Sequence, residues 1–323
     1  RSFWILDDLS AIQATSGKKS NDIALYGPKP TYALPTRSYR TSGMGENHKG
    51  GVMIDYQLPM DIDSGEIVLE IYNDREELVK DYSSKKVKGL KKFPGSPSPE
   101  KLLTTRKGIN RINWDLTKES LPFINDVFML GSFDGVPVSP GNYTAKLKFG
   151  DQLSEAKITV LQDPKLKVNA ESFEERENFI DDLHQTFREV TSSVKSFISI
   201  KKQLKQRQSI IEDNDGASDL HAIGEELLEK MSSWESNLVQ RDQKTFQDVI
   251  NFPNRLNAEL ANLASRSSGH DPRLTEGMKQ RKSDLMNEWA TSKSEMNIII
   301  YGPIAEYNKE YKNLDLPILI LKD

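Results

Sequence analysis

The four histidines are the first candidates for acid–base catalysis or metal binding, because imidazole titrates near neutral pH. His184 follows Asp181 by three residues, and on a helix this spacing places two metal ligands on one face. A zinc site needs at least three protein ligands, and no third one lies nearby in the sequence. A solvated helical histidine beside an acidic neighbour is therefore the favoured interpretation. His48, His221 and His270 stand singly, so the sequence predicts no metal and no cofactor.

Acidic pairs are the second candidates, because glycoside hydrolysis uses two carboxyl groups placed roughly 5 to 10 Å apart across a cleft. The chain offers three such pairs: Asp7-Asp8, Asp61 with Asp63, and Glu76-Glu77. Adjacent residues on a strand point to opposite faces, so the first pair is not expected to act together. Surface solvation is the favoured interpretation of all three pairs.

The remaining motifs do not specify a reaction either. The sequence has no nucleophile elbow, phosphate-binding loop, dinucleotide fingerprint or cysteine. A basic run precedes Phe93 and is interpreted as a solvated loop rather than an anion site. Its members are Lys85, Lys86, Lys88, Lys91 and Lys92. The glycosylation sequon at Asn142 is treated as incidental. We therefore assign no catalytic, cofactor-binding or metal-binding residue from the sequence.

Composition limits the classes of partner. The 323 residues include 44 basic and 48 acidic side chains, which gives a net charge of -4. This balance does not favour nucleic acid as a partner. No apolar run reaches the ~20 residues that a membrane-spanning helix needs. The length is enough for two domains of ordinary size.

An alternation of apolar and polar residues begins at Gly51 and recurs in about seven short segments up to Val160. The first segment places Val52, Ile54 and Tyr56 on one face of a strand. Turn residues separate the segments, and no helical period lies between them. This pattern predicts an antiparallel β-sandwich of the immunoglobulin or fibronectin type over residues 51–163.

The hydrophobic period changes after Asp163-Pro164. Apolar residues then follow each other at alternating steps of three and four, which is a heptad seam. The seam contains Phe173, Ile180, Leu183, Phe187, Val190, Val194, Phe197 and Leu204. Three further helices with narrow apolar stripes follow. The pattern predicts an antiparallel α-helical bundle over residues 164–323, with Trp114, Trp234 and Trp289 in the core of the two regions.

The N-terminal fifty residues have a different character. Residues 14–50 are rich in Ser, Thr, Gly, Lys and Pro, which predicts a linker. Phe3, Trp4, Ile5 and Leu6 form a short apolar run with high strand propensity. Such a run needs neighbouring strands, and none follows closely in the sequence. These four residues are therefore the predicted contact with a partner.

The order of several motifs resembles that of bacterial sortilin-like, BNR-repeat β-propeller proteins, which are often labelled glycosyl hydrolases. The opening RSFWILDDLSAI resembles the last propeller strand of that family. The segments GENHKGGVMIDYQLP, GINRINWDL and SPGNYTAKLKFG resemble strands that follow it, and VINFPNRLNAELANL resembles a helix start. The resemblance covers essentially the whole chain. The family's repeat signature, S-x-D-x-G-x-T-W, does not occur in it.

The resemblance implies an α+β multidomain chain in which residues 1–13 are the last strand of a propeller that the chain itself lacks. It implies a non-catalytic structural or interaction module with that upstream propeller as partner, in an extracytoplasmic location, periplasmic or secreted. Phe3, Trp4, Ile5 and Leu6 would complete the propeller. No active-site residue of the family can be placed on this sequence.

Two alternatives stay open at this stage. The chain could be an accessory, glycan-binding part of a glycoside hydrolase, in which case exposed loop aromatics would bind the sugar. The candidates are Phe93, Phe123, Phe128 and Phe133. A receptor-like role is the second alternative. The regular helical seams are also typical of association with a protein partner or with a second copy of the chain.

Overall fold

The computed structural model describes residues 8–15, 21–34, 50–86, 93, 95–97, 99–129, 131–212 and 215–314. Phe3, Trp4, Ile5 and Leu6, the predicted contact residues, lie outside these ranges, as does His48.

The described residues of the first half of the chain form eight strands. They are β1 Ala24–Tyr26, β2 Thr31–Tyr32, β3 Val52–Leu58, β4 Ile67–Tyr72, β5 Leu78–Ser83, β6 Gly108–Trp114, β7 Gly141–Phe149 and β8 Gln152–Leu161. β1, β3 and β6 form an antiparallel sheet in that order. The other five form a second sheet in the order β2-β8-β7-β4-β5, which curls into a half-barrel. Alternating burial along β4 and β7 shows why the period of two predicts these strands.

The predicted antiparallel immunoglobulin-like sandwich is wrong. β2 pairs with β8 in parallel, with Thr31 opposite Val160, so the five-stranded sheet is mixed. Both β1 and β2 come from within residues 14–50, which the composition predicts to be a linker. One edge strand of each sheet, β1 or β2, therefore has only two or three residues. Such a strand is too short to show an alternating pattern in the sequence. The division into the four predicted ranges stays a prediction.

The two sheets share one apolar core. Its largest fully buried side chains include Trp114 and Tyr56, and the ring of Trp114 meets that of Tyr143 edge to face at 5.3 Å between centroids. The Trp114 indole N–H donates to the carbonyl of Thr117 at 2.9 Å. Burial of one large apolar side chain contributes about 1.5–3 kcal/mol to the stability of the fold. The prediction that Trp114 lies in the core is confirmed.

The described residues also form six α-helices. They are α1 Ser10–Thr15, α2 Ala170–Ile211, α3 Ser218–Leu238, α4 Leu256–Ser267, α5 Glu276–Ile299 and α6 Ala305–Asn313. A π-helical turn, Ile300–Ile304, joins the last two and contains Pro303. α2 has 42 residues, so it is about 63 Å long. Asn169 caps it by accepting a hydrogen bond from the Ser172 backbone N–H.

The helices make three passes along one another. Lys201 of α2 contacts Glu235 of α3, and Gln208 donates to the carbonyl of His221, so α3 runs antiparallel to α2. Near the start of α2, Arg176 donates to the carbonyl of Gly269, just beyond the end of α4. α3 and α4 therefore follow each other down the length of α2 and form the second pass.

The third pass is parallel to the first. Asp182 pairs with Lys282, and Glu189 pairs with Lys293, so residue numbers on α2 and α5 rise together. The predicted antiparallel bundle is therefore wrong, because the neighbouring helices α2 and α5 run parallel to each other. In any up-down-up arrangement the first and third passes point the same way, and here these two passes are in contact.

The loop between β6 and β7 joins the two halves of the molecule. It contributes six apolar side chains to the same core as the helices. They are Leu121, Ile124, Val127, Met129, Phe133 and Val136. The Lys118 ammonium, at the start of this loop, contacts Glu177 at 2.9 Å and Asp181 at 2.8 Å on α2. The helical core is thus completed by residues that the sequence assigns to the sandwich.

The parallel contact can be tested by cross-linking, because the chain has no cysteine of its own. We expect the double variant Asp182→Cys/Lys282→Cys to be cross-linked within one chain by a short bis-maleimide, as judged by altered migration on a denaturing gel. Asp182→Cys/Lys293→Cys is the matched control, because position 293 lies eleven residues, about 16 Å, further along α5. Preferential cross-linking of the control pair would contradict the parallel arrangement.

Candidate functional site

The candidate site lies where the described chain begins, at Asp8. The Asp8 carboxylate accepts hydrogen bonds from the backbone N–H of Ser10 at 2.8 Å and from its hydroxyl at 2.6 Å. These two bonds are the main reason why the pKa of Asp8 is lowered to about 2. Asp8 therefore stays ionised at neutral pH and fixes the first turn of α1.

Two basic residues attach this turn to the rest of the fold. The Lys29 ammonium lies 3.2 Å from the Asp8 carboxylate. Arg111 Nη2 donates a hydrogen bond to the Asp8 carbonyl oxygen at 3.4 Å. Arg111 is itself held by two bonds to Asp55, of 2.6 and 2.8 Å. Arg111 and Asp55 are directly opposite each other on β6 and β3, and Asp55 is buried. The start of α1 is thus linked to the three-stranded sheet by a bidentate, partly desolvated ion pair.

Apolar side chains at the start of α1 differ in exposure. Ala11 is buried, whereas Ile12 is 51% exposed and Leu9, which immediately precedes α1, is 47% exposed. The two larger side chains are therefore both available on this short segment. We refer to Asp8, Leu9, Ile12, Lys29 and Arg111 as the α1 anchor. Its chemistry is that of a contact surface: a small apolar face on a turn whose position is fixed by charges.

The histidines lie apart from this surface. His184 is only 2% exposed, so its interpretation as a solvated histidine is wrong. Burial, followed by the positive charges of Arg188 and Lys118, lowers the pKa of His184 to about 4. His270 Nε2 lies 3.0 Å from the Asp163 carboxylate, where the end of β8 meets the loop after α4. Within the described ranges, no three His, Asp or Glu side chains are grouped to hold a metal ion.

The acidic pairs are divided among separate local contacts. Asp61 accepts a hydrogen bond from the Lys107 backbone N–H at 2.7 Å, whereas Asp63 is exposed. Glu76 has a positive φ of 59° in the turn before β5, and the Glu77 carboxylate accepts a bond from the Asn73 side chain. Asp7 lies outside the described residues. These contacts support the solvated interpretation for Asp61, Asp63, Glu76 and Glu77, whereas the Asp8 side chain is only 12% exposed and that interpretation of it is wrong.

A buried polar cluster near β5 was not foreseen from the sequence. Lys80 is 7% exposed, and its ammonium lies 3.6 Å from Glu119 and 3.9 Å from Glu100. Burial raises the pKa of Glu119, although its carboxylate accepts the Asp81 backbone N–H at 2.7 Å. Because all of these contacts are internal, the cluster is explained as a link between β5 and the loop after β6. The members of this cluster are twenty to forty positions apart in the sequence, so no local sequence pattern predicts their contact.

The loop aromatics proposed for glycan binding pack against one another. Phe123 lies 5.9 Å from Phe93 and 6.2 Å from Phe133 between ring centroids, and Phe133 is buried. Phe128 covers the position where a side chain on Gly95 would be. None of the four rings is fully exposed. Packing therefore accounts for these side chains without a sugar.

Comparisons with protein-family models, curated proteins and solved structures found no match. The likeness to sortilin-like propeller proteins is therefore a resemblance of sequence motifs alone. Among the described residues, no helix is long and apolar enough to span a membrane.

Proposed function

We propose that this chain is a non-catalytic structural and interaction module that lies beside a β-propeller. The α1 anchor is the observation that carries the proposal. It fixes the position of Asp8, which follows residues 1–7 in the sequence, because Asp8 is bound by Lys29 and through its carbonyl by Arg111. A strand that completes a blade in another domain needs such a fixed origin, since a rigid origin lowers the entropy lost on docking.

The exposed apolar pair on α1 supports the same proposal. Leu9 and Ile12 follow the apolar run Phe3–Leu6 within a few residues of sequence, so one partner could contact both. Apolar side chains at an interface centre contribute most of the binding energy when water is excluded around them. The extracytoplasmic location is part of the proposal and is supported by the motif resemblance.

The test is a calorimetric titration of this chain with the upstream propeller, produced separately without its last strand. We expect tight binding that Trp4→Ala weakens roughly 30-fold, which is the loss typical of a central aromatic contact. The double variant Leu9→Ser/Ile12→Ser should weaken binding by a smaller factor, about fivefold to tenfold, because its side chains start half exposed.

The matched control is Phe246→Ser/Ile250→Ser, which removes two apolar side chains that are 70% and 86% exposed in the helical region. It should leave the affinity unchanged. The proposal is wrong if the gene encodes no propeller before residue 1. It is equally wrong if both folded pieces fail to bind, or if the control weakens binding as much as the α1 variant.

A further inference from the structure

A groove of about 610 Å³ runs along the C-terminal half of α2. Lys201, Lys202 and Lys205 line one wall, and Arg241, just beyond the end of α3, lines the other. None of the described residues that line this α2 groove is acidic. Four cations from two separate elements therefore face one concave surface.

A single buried carboxylate holds two of these cations. Glu235 is 3% exposed and accepts hydrogen bonds from the Lys201 ammonium at 2.5 Å and from Arg241 Nε at 2.5 Å. It joins the two walls of the groove and neutralises one charge. Lys202 and Lys205 are exposed, and within the described part of the chain neither has an ion-pair partner. About three positive charges thus remain without a matching negative charge.

This concentration of positive charge is local. Residues 190–211 contain five basic side chains and no acidic one, in a chain whose net charge is -4. Basic residues near a helix C-terminus are often explained by the helix dipole, whose effect is confined to the last turn. The last turn of α2 has no basic residue, so the dipole does not account for the arrangement.

We propose that the α2 groove binds a short polyanion that carries phosphate or sulfate groups. The groove extends from Ile198 to Ser209, eleven residues or about 16 Å along α2, which is enough for several anionic groups in a row. Lysine ammonium groups act as point charges that suit the oxygens of either group. Ile198 offers an apolar contact for a carbon skeleton, and the Ser232 hydroxyl lies at the opposite wall.

The surrounding charge favours a short ligand over a long one. The four cations lie within one groove, whereas the chain as a whole has a net charge of -4, so a ligand that fits inside the groove suits this distribution better than a long polyanion. The shared chemistry is the phosphate or sulfate oxygen, and two probes distinguish its source. Inorganic tripolyphosphate represents a phosphate chain, and sucrose octasulfate represents a sulfated sugar.

Isothermal titration of the full chain with each probe at low ionic strength tests the proposal. We expect one-to-one binding of at least one probe, weakened about tenfold by Lys202→Gln/Lys205→Gln, since each exposed ion pair contributes up to about 1 kcal/mol. Binding should also weaken as salt is added. The probe that binds more tightly identifies the source. These two exposed lysines have no ion-pair partner among the residues that the structure describes, so the thermal unfolding curve of the variant should match that of wild type.

Lys165→Gln/Lys167→Gln is the matched control, because it removes the same charge from exposed positions before the first turn of α2. The control should leave the affinity of the bound probe unchanged. If neither probe binds at millimolar concentration, or if the control weakens binding as much as the groove variant, the proposed site does not exist. This test does not involve the α1 anchor, so its outcome is independent of the propeller proposal.

Discussion

Replacement of Gly51 by alanine is expected to lower the free energy of unfolding by about 3 to 5 kcal/mol, because two costs coincide at this position. The φ angle of Gly51 is +95°, a conformation that L side chains rarely adopt. A Cβ atom there would also lie 2.1 Å from the carbonyl oxygen of Trp114. Gly51 immediately precedes Val52, which is paired with Trp114 at one end of the β3–β6 ladder. Equilibrium unfolding in urea measures the loss.

Three other glycines separate the two costs. Gly108 has a φ of +97° and no atom near an added Cβ, so alanine there should cost only about 1–2 kcal/mol. Gly135 has no positive φ, but its Cβ would meet the Lys118 carbonyl at 1.7 Å, so we expect about 2–3 kcal/mol. Gly27 has neither cost and should change stability by less than about 0.5 kcal/mol. If Gly51→Ala resembles Gly27→Ala, the described approach of the two strands is incorrect.

Elements that depend on local periodicity could be predicted from the sequence. The alternation from Val52 to Leu58 identifies β3, and the heptad seam identifies α2 almost to its ends. The burial of Trp234 and Trp289 is confirmed as well. In each case one side of a strand or helix faces a core. The hydrophobic period that predicts its burial is therefore visible within that one segment of the sequence.

Relations between distant segments could not be predicted in the same way. β2 has only two residues, Thr31 and Tyr32, and its parallel pairing depends on where the intervening chain leads. A heptad seam shows which side of a helix is buried but carries no information on the direction of the neighbour. The parallel contact between α2 and α5 follows from the number of passes and becomes visible only through pairs such as Asp182 with Lys282.

The polar residues of α2 show a second limit of the seam. A seam predicts burial along one narrow stripe, whereas α2 is covered by the passes of α3 and α4, by α5 and by the loop after β6. His184 and Thr186 lie beside the stripe and are buried as a result. The candidate site shows the same limit, because the sequence pattern favours a solvated position for Asp8 and gives no reason to single out Arg111. Their contact joins residues about a hundred positions apart.

The burial of His184 has a consequence for stability at mildly acidic pH. Its pKa falls from the ordinary 6.5 to about 4 in the folded chain, because burial deprives the protonated ring of hydration and because Arg188 and Lys118 add positive charge nearby. Between these two values the unfolded chain binds a proton that the folded chain does not. Stability from this group is therefore complete above about pH 6.5 and is lost as the pH falls toward 4.

We expect wild type to lose about 2–3 kcal/mol more than His184→Gln when the pH is lowered from 7 to 4.5. Glutamine keeps a polar side chain but does not titrate, so the variant should be less stable at pH 7 and show a flatter pH profile. Urea unfolding at a series of pH values measures both curves. Carboxylates such as Asp8 contribute equally to the two proteins, so the difference between the curves isolates His184.

His221→Gln provides the control, because His221 lies on α3 and contacts Gln208 only through its backbone carbonyl. A flatter profile that is seen for His184→Gln and not for this control is attributed to the buried ring of His184. Parallel profiles for His184→Gln and wild type would mean that His184 is hydrated in the folded chain, and its described burial would then be in error. A steeper wild-type profile would show that the His184 ring is excluded from solvent in the folded chain.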